Sequence, residues 1–243
     1  MFSIFKKKYP ARAVDFSFLK TDMHSHLLPG IDDGATDIDN SLELKKGLED
    51  LGFRQFITTP HIMWDMYKNT PDSIGSALTQ LQQAPGQQNI RAGAEYFMDD
   101  YFDQLVDTNQ PLLTLSGKKV LVEFSFVSAP LNLKEKLFNL QIKGYQPVLA
   151  HPERYAFYAA NKTVYEELRT IGCLFQINLL SLAGYYGKLS QDLAHYLIGR
   201  KYIDFLGSDL HHVRHLECLR SSKQLMPALQ PLFDSGLLQN HSL

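Results

Sequence analysis

Short apolar runs alternate with helical stretches along most of this 243-residue chain. Seven runs read as strands, at 18–23, 55–59, 90–94, 120–124, 147–150, 174–178 and 202–206. Between and after them, segments 37–51, 73–82, 99–106, 132–143, 164–171, 191–201 and 216–225 place apolar residues at helical spacing. In the first, Ile38, Leu42, Leu48 and Leu51 fall near one face, and Thr36 with Asp39 resembles an N-terminal capping box. Strands separated by helices predict a parallel sheet with crossover helices. Seven such units in succession predict closure: an α/β fold of the distorted TIM-like (β/α)7 barrel kind, with its chemistry at the C-terminal strand ends. No linker divides the chain, so residues 1–17 read as an N-terminal tail and 18–243 as a single domain.

The polar residues at the strand ends carry the chemistry. His24 and His26 close the first strand, and His61 follows the second. Glu95 ends the third, Glu123 the fourth and His151 the fifth; Asn178 ends the sixth, and Asp209 and His211 follow the seventh. In a barrel these ends converge on one face. In an extended His-x-His both rings point to the same side, so His24 and His26 can share an ion, and Asp209-Leu210-His211 repeats that geometry. Asp33 lies in a turn bracketed by Pro29, Gly30 and Gly34 that can fold back over the same mouth, with Asp32 beside it as a competing ligand. A lone histidine or strand-end glutamate more often has a structural role. Together, at consecutive strand ends, these groups predict a hydrolytic metal centre, because buried carboxylates and imidazoles in one place call for a cation. His195, His212, His215 and His241 lie outside the pattern, and of these only His212 and His215 stand close enough to support it.

Composition narrows the function classes. Apolar residues make up 44% and charged residues 21%, an ordinary balance for a globular protein. The net charge of -2 offers no counterion-release advantage toward nucleic acid. Cys173 and Cys218 form no CxxC pair, and neither begins a Cys-x5-Arg loop, which argues against cysteine-based phosphatase chemistry and for buried, reduced thiols. The start, Met1 to Lys8, places its apolar residues before Lys6, Lys7 and Lys8, unlike a secretory signal, and reads as a solvated tail. No run is long enough for a membrane helix, so the expected location is the cytoplasm, without stable membrane insertion.

Asp22-Met23-His24-Ser25-His26-Leu27-Leu28-Pro29-Gly30-Ile31-Asp32-Asp33-Gly34 resembles the opening motif of the PHP (polymerase and histidinol phosphatase) superfamily. Its Leu-Pro-Gly-Ile-Asp-Asp-Gly continuation is similar to one branch, the bacterial manganese-dependent protein-tyrosine phosphatases linked to capsular and exopolysaccharide synthesis. Thr59-Pro60-His61, Gly93-Ala94-Glu95, His151-Pro152-Glu153-Arg154 and Ser208-Asp209-Leu210-His211 match that branch in order, from about Lys20 to His211. The resemblance implies three divalent ions, Mn2+ first, with Fe, Zn, Co or Mg also compatible with mixed His/carboxylate donors. It assigns His24, His26, Glu95 and Asp209 to one ion, Glu95, Glu123 and His151 to a second, and Asp33, His61 and His211 to a third. Where Glu123 stands, many superfamily members carry a histidine.

The implied reaction is hydrolysis of phosphotyrosine by water that the ions acidify, with no covalent phosphoenzyme. Arg154 is placed to fork onto phosphate oxygens. A further arginine follows the Asp-x-His motif in the related phosphatases; the nearest here is Arg214, at a different local spacing. Asp209 or a neighbouring histidine is the candidate acid for the leaving group. Ile62 to Tyr67 and Gly184-Tyr185-Tyr186-Gly187 are candidate rims for the substrate ring. The implied partner is a phosphotyrosyl protein, the tail of a bacterial tyrosine kinase. A small-molecule phosphatase such as one for histidinol phosphate is the alternative, and a nuclease or a binding module without turnover is disfavoured by charge and by the intact donor set. The oligomeric state is left open.

Overall fold

The computed structural model describes residues 14–243. The Phe2/Lys6–Lys8 tip lies outside the described residues. In chain order the elements are β1 (Thr21–Asp22), α1 (Ile38–Asp50), β2 (Gln55–Thr58), β3 (His61–Ile62), α2 (Pro71–Gln82), β4 (Ile90–Ala92), β5 (Glu95–Phe97), α3 (Asp100–Asp107), β6 (Lys119–Glu123), α4 (Leu133–Ile142), β7 (Gln146–Ala150), α5 (Thr163–Thr170), β8 (Leu174–Asn178), α6 (Leu179–Ala183), α7 (Gly187–Gly199), β9 (Phe205–Gly207), α8 (Val213–Ser221) and α9 (Leu225–Ser235).

Every ladder is parallel, in the orders β1-β2-β4 and β3-β5-β6-β7-β8-β9. Among the described residues the nine strands occupy seven positions, because the second and third predicted strands stop short and the chain resumes pairing past their predicted ends as β3 and β5. Pro60 has no N–H to donate and separates β2 from β3. Gly93 and Ala94 separate β4 from β5, and the bonds Gly93 N→Thr58 O (2.9 Å) and Glu95 N→Pro60 O (3.1 Å) carry the pairing across both breaks. The sheet curls until its last strand meets its first. Asp209 N donates to His24 O (2.8 Å) and His26 N to Leu210 O (2.9 Å), around a parallel bridge between Ser25 and Leu210. This closure is a bridge rather than a full ladder, which is the distortion of the (β/α)7 barrel.

Two-residue alternation sets what faces inward. Leu121 shares a face with Glu123, and Leu174 shares one with Gln176 and Asn178. Met23, Ile57, Leu121, Val148, Ala150 and Phe205 form an apolar cluster below the polar strand ends. A larger cluster lies between the strands and the helices. Phe16 is fully buried there and packs on Phe53 at 5.2 Å, so the packed body begins ahead of residue 18, inside the expected tail.

Local differences from the sequence reading have physical causes. The cap of α1 is Asp37, whose carboxylate accepts from Asn40 N (2.9 Å), while the Thr36 hydroxyl donates to Asp37 instead of capping. The seventh strand starts at Phe205 instead of 202, because Asp204 is engaged by the Arg169 guanidinium and by Phe175 N. The predicted 216–225 helix stops at Ser221, and α9 follows with Pro227 in its first turn and Pro231 inside it, residues that a propensity reading takes as breakers.

Asn240, buried near the C-terminus, covers the edge where β1 and β9 lack a ladder. Its Oδ1 accepts from Leu206 N (3.0 Å), and its Nδ2 donates to Leu206 O (2.7 Å) and Thr21 O (3.2 Å). Asn240→Ala strips three buried backbone groups of their partner, and we expect a loss of about 2 kcal/mol. Urea denaturation of variant and parent reads the difference; equal midpoints would contradict this role.

Candidate metal centre

The barrel closure brings the two ends of the chain's motif series together. His24 and His26 Nε2 atoms lie 3.4 Å apart, as the same-side geometry of His-x-His requires. Asp209 Oδ1 stands 3.4 Å from His24 Nε2, 3.6 Å from His26 Nε2 and 3.5 Å from His211 Nδ1. Glu95, fully buried, occupies the middle. Its Oε2 lies 3.1 Å from His24 Nε2, 3.4 Å from His26 Nε2 and 3.3 Å from His61 Nδ1, while its Oε1 lies 3.1 Å from His151 Nε2. Glu123 faces His61 Nδ1 at 3.0 Å and His151 Nε2 at 3.7 Å. Asp33, half exposed, reaches His61 Nε2 (3.4 Å) and His211 Nε2 (3.6 Å).

All nine expected residues fall into overlapping groups with donor atoms within 4.8 Å: His26/Asp33/His61/His211, His24/His151/Asp209, His24/His26/Glu95 and His61/Glu95/Glu123. The grouping differs from the expected one at three histidines: His26 also joins Asp33, His61 and His211, His151 groups with His24 and Asp209, and His61 turns Nδ1 toward Glu123 while its Nε2 keeps to Asp33. The donors suit a divalent cation. His61 Nδ1 and Glu123 Oε1 are buried and adjacent yet make no hydrogen bond, and His151 Nδ1 also lacks a partner. Buried polar atoms left without partners in this way fit a site that a cation would complete.

The outer atoms of three rings are fixed by acceptors. His24 Nδ1 meets Gln176 Oε1 and His26 Nδ1 meets Asp32 Oδ2, both at 2.8 Å, and His211 Nδ1 meets Asp209 O at 2.9 Å. Each acceptor keeps the proton on Nδ1 and leaves Nε2 as the free donor. Asp32 therefore stands behind His26, also taking Gly34 N and His61 N, and Asp33 faces the cluster. Gln176 in turn donates to Asn178, and Asn178 to Asp209 Oδ2. A sequence reading that looked only at strand ends overlooked Gln176. Its signal was the Gln176-Ile177-Asn178 alternation, which places two amides on the inner face of an otherwise apolar strand.

Close packing holds the rings. A Cβ on Gly207 would lie 2.7 Å from His24 Cβ, and one on Gly34 would lie 2.2 Å from His26 O. His151 (φ 34°) and Asp209 (φ 50°) sit in the left-handed region, a strained backbone for non-glycine residues that is typical of functional sites.

The centre opens into a cavity of about 240 Å3 lined also by Phe126, Arg154, Tyr186, His212 and His215. Arg154 Nη1 donates to Asp209 Oδ2 at 3.1 Å. Arg214 is exposed on α8 and lines no part of this cavity, because the single helical step of about 100° to His215 turns His215 in and leaves Arg214 facing out. Of the two rim candidates, Trp64 stacks on Tyr101 (3.9 Å) and Tyr67 on His61 (5.6 Å), while Tyr186 packs on Arg154 (4.1 Å) and Tyr185 meets His215 edge-on (4.7 Å).

Electrostatics follow from this crowding. Burial alone would raise Glu95 and Asp209, but the neighbouring histidines, His24 foremost, hold both carboxyls well below the usual range. Burial and His26 oppose a charge on His61, yet Glu123 and Glu95 outweigh them and push it up to about 9. Burial and His26 push His211 down to about 4. At pH 7.5 the His61 ring thus holds a proton that a metal ion must displace. Metal binding is expected to release protons, and apparent affinity to climb as pH rises toward 9. Calorimetric titration in buffers of different ionisation heat measures the release; proton-neutral uptake would contradict a His61 ring that is protonated before the metal binds.

Comparison with known proteins agrees with this geometry. The family model described as "Capsular polysaccharide synthesis, CpsB/CapC" matches residues 20–221. The tyrosine-protein phosphatase YwqE of Bacillus subtilis (strain 168) is 35% identical over 204 residues, which is 79% of this chain and 78% of that one. The tyrosine-protein phosphatase CpsB of Streptococcus pneumoniae is 28% identical, over 79% of this chain and 83% of that one. Among solved structures, one described as YwqE from Bacillus subtilis and CpsB from Streptococcus pneumoniae, "unique metal-dependent tyrosine phosphatases", superposes with a TM-score of 0.76 and 31% identity, covering 90% of this chain and 89% of that one. With a family model that matches residues 20–221 and a relative 35% identical over 79% of this chain, the chain belongs to the CpsB/CapC capsular polysaccharide synthesis family.

Proposed function

We propose that this protein is a metal-dependent protein-tyrosine phosphatase that acts on a phosphotyrosyl protein, the tail of a bacterial tyrosine kinase that governs polysaccharide synthesis. The observation that carries the reading is Glu95, which turns one carboxylate oxygen to His24, His26 and His61 and the other to His151, at the floor of a cavity reached by Arg154. In this reading His24, His26, Glu95 and Asp209 hold one ion, Glu95, Glu123 and His151 a second, and Asp33, His61 and His211 a third. The preferred ion is Mn2+, with Fe, Zn, Co or Mg as substitutes. Bound there, such ions would supply Lewis acidity toward a water and the phosphate.

The protein's own groups do the rest. Arg154 offers its guanidinium edge to the phosphate oxygens. Asp209 turns Oδ2 to Asn178, Arg154 and Tyr186, and with its carboxyl ionised it has no proton to give to a leaving group. A tyrosyl oxygen, with a pKa of about 10, departs with little help. No thiol serves as nucleophile, since Cys173 is buried, its thiol pushed up to about 12 by burial, and Cys218 lines no part of the cavity. No described helix is long and apolar enough to cross a membrane, and we place the enzyme in the cytoplasm. Residues 18–243, with the preceding turns that carry Phe16, act as one domain.

The test is hydrolysis of a phosphotyrosyl peptide beside phosphoserine, histidinol phosphate and an oligonucleotide, with Mn2+ and after chelation. We expect preference for phosphotyrosine, loss on chelation, and a fall of at least about a hundredfold in His24→Ala, from losing a metal donor. Metal-dependent turnover of histidinol phosphate or DNA alone would keep the centre and overturn the substrate.

A further inference from the structure

Arg154 is held in an unusual way for a cation at a cavity wall. Its guanidinium lies between two aromatic faces, with Cζ 4.1 Å from the Tyr186 ring centre and 4.4 Å from that of Phe126. The side chain is only 23% exposed. Among the described residues only Nη1 has a side-chain hydrogen bond to a protein acceptor, Asp209 Oδ2. The other guanidinium donors have no protein partner among the described residues, and the residue lines the cavity beside the metal-ligand candidates. The clamp's two walls come from distant parts of the chain. Phe126 follows β6, and Tyr186 precedes α7, so nothing local accounts for their meeting on Arg154. Each wall also packs on further rings: Phe126 on His151 (5.5 Å) and Tyr155 (5.8 Å), and Tyr186 on Tyr185 (5.2 Å).

We infer that Phe126 and Tyr186 are positioning residues that clamp the Arg154 guanidinium in one plane, so that its unpaired edge is set for the two oxygens of a phosphate before substrate arrives. An arginine side chain left free loses rotamer entropy on binding an anion; held between two rings it has lost that freedom already. Both rings attract the cation through their faces while leaving its in-plane N–H groups open, which a carboxylate clamp would not do. Tyr186 has a second, separable contact, its hydroxyl 3.4 Å from Asp209 Oδ2. The rings, not this hydroxyl, do the positioning. The inference rests on the reading of Arg154 as the phosphate contact, and the test separates the two.

The probe is inorganic phosphate as a competitive inhibitor of phosphotyrosyl-peptide hydrolysis, with metal content per chain measured in parallel. Tyr186→Ala and Phe126→Ala are each expected to raise the phosphate inhibition constant, and KM with it, by about tenfold, with metal content unchanged. Tyr186→Phe keeps the ring and should stay within about twofold of the parent. In an Arg154→Ala background, Tyr186→Ala should add nothing, because the ring acts only through the guanidinium. If Arg154→Ala leaves phosphate inhibition unchanged, the phosphate reading of Arg154 fails and the clamp with it. If Arg154→Ala weakens inhibition but Tyr186→Ala either matches the parent or adds its full effect on top, the anchor stands and the clamp alone is overturned. Loss of metal in Tyr186→Ala that Tyr186→Phe shares would likewise overturn it, since the hydroxyl would then be the working part.

Discussion

A carboxylate buried without a counter-charge is among the costliest features a fold can carry, and Glu95 is fully buried at the centre of this barrel. The arrangement around it answers that cost. Four imidazoles approach its two oxygens, and each imidazole is in turn supported by the strand end that carries it. Breaking β4 from β5 at Gly93 and Ala94 lets Glu95 begin a new strand beside His61, residue for residue in register. Fold and site therefore share one constraint, the need to gather opposite charges at the strand ends.

The outer hydrogen bonds explain how such a cluster stays specific instead of collapsing into arbitrary ion pairs. Gln176, Asp32 and the Asp209 carbonyl each fix one ring nitrogen. Asp22 accepts from Ser208 N and Oγ and ties the first strand to the last beneath the donors. Asp22 has no exposure, and burial pushes its carboxyl up to about 6 despite those bonds. Glu153, buried as well, accepts from Asn178 N and Ser181 Oγ and so anchors the start of α6, from which the chain runs on to Tyr186. The chemistry of the cavity thus depends on polar groups that never face it.

Much of this was legible in the residue pattern. Alternating runs specified a parallel barrel because strand and helix periods differ, 2 against 3.6, and the chain keeps each where it belongs. His24, His26, Glu123, His151 and His211 were legible as members of one cluster because strand ends in a barrel converge by topology alone. The interruption at Pro60, the prolines inside α9 and the Asp37 cap were not, since each depends on which hydrogen bonds neighbours can replace. Arg214 shows the limit from the other side. Its spacing from Asp209 put it close in sequence, but helical phase turned it out to solvent and brought His215 in.

By itself, then, the sequence determined the fold class, the nine donor candidates and the kind of chemistry they support, because those follow from local periodicity and from residue type at strand ends. Tertiary structure decided what depends on distance across the barrel. It turned Asp33 toward the cluster and Asp32 behind it, set His61 between Asp33 and Glu123, and gave His24 its partner in Gln176, 152 residues away. It also closed Phe126 and Tyr186 on Arg154. Such pairings are set by curvature and closure of the sheet, and no local pattern encodes them.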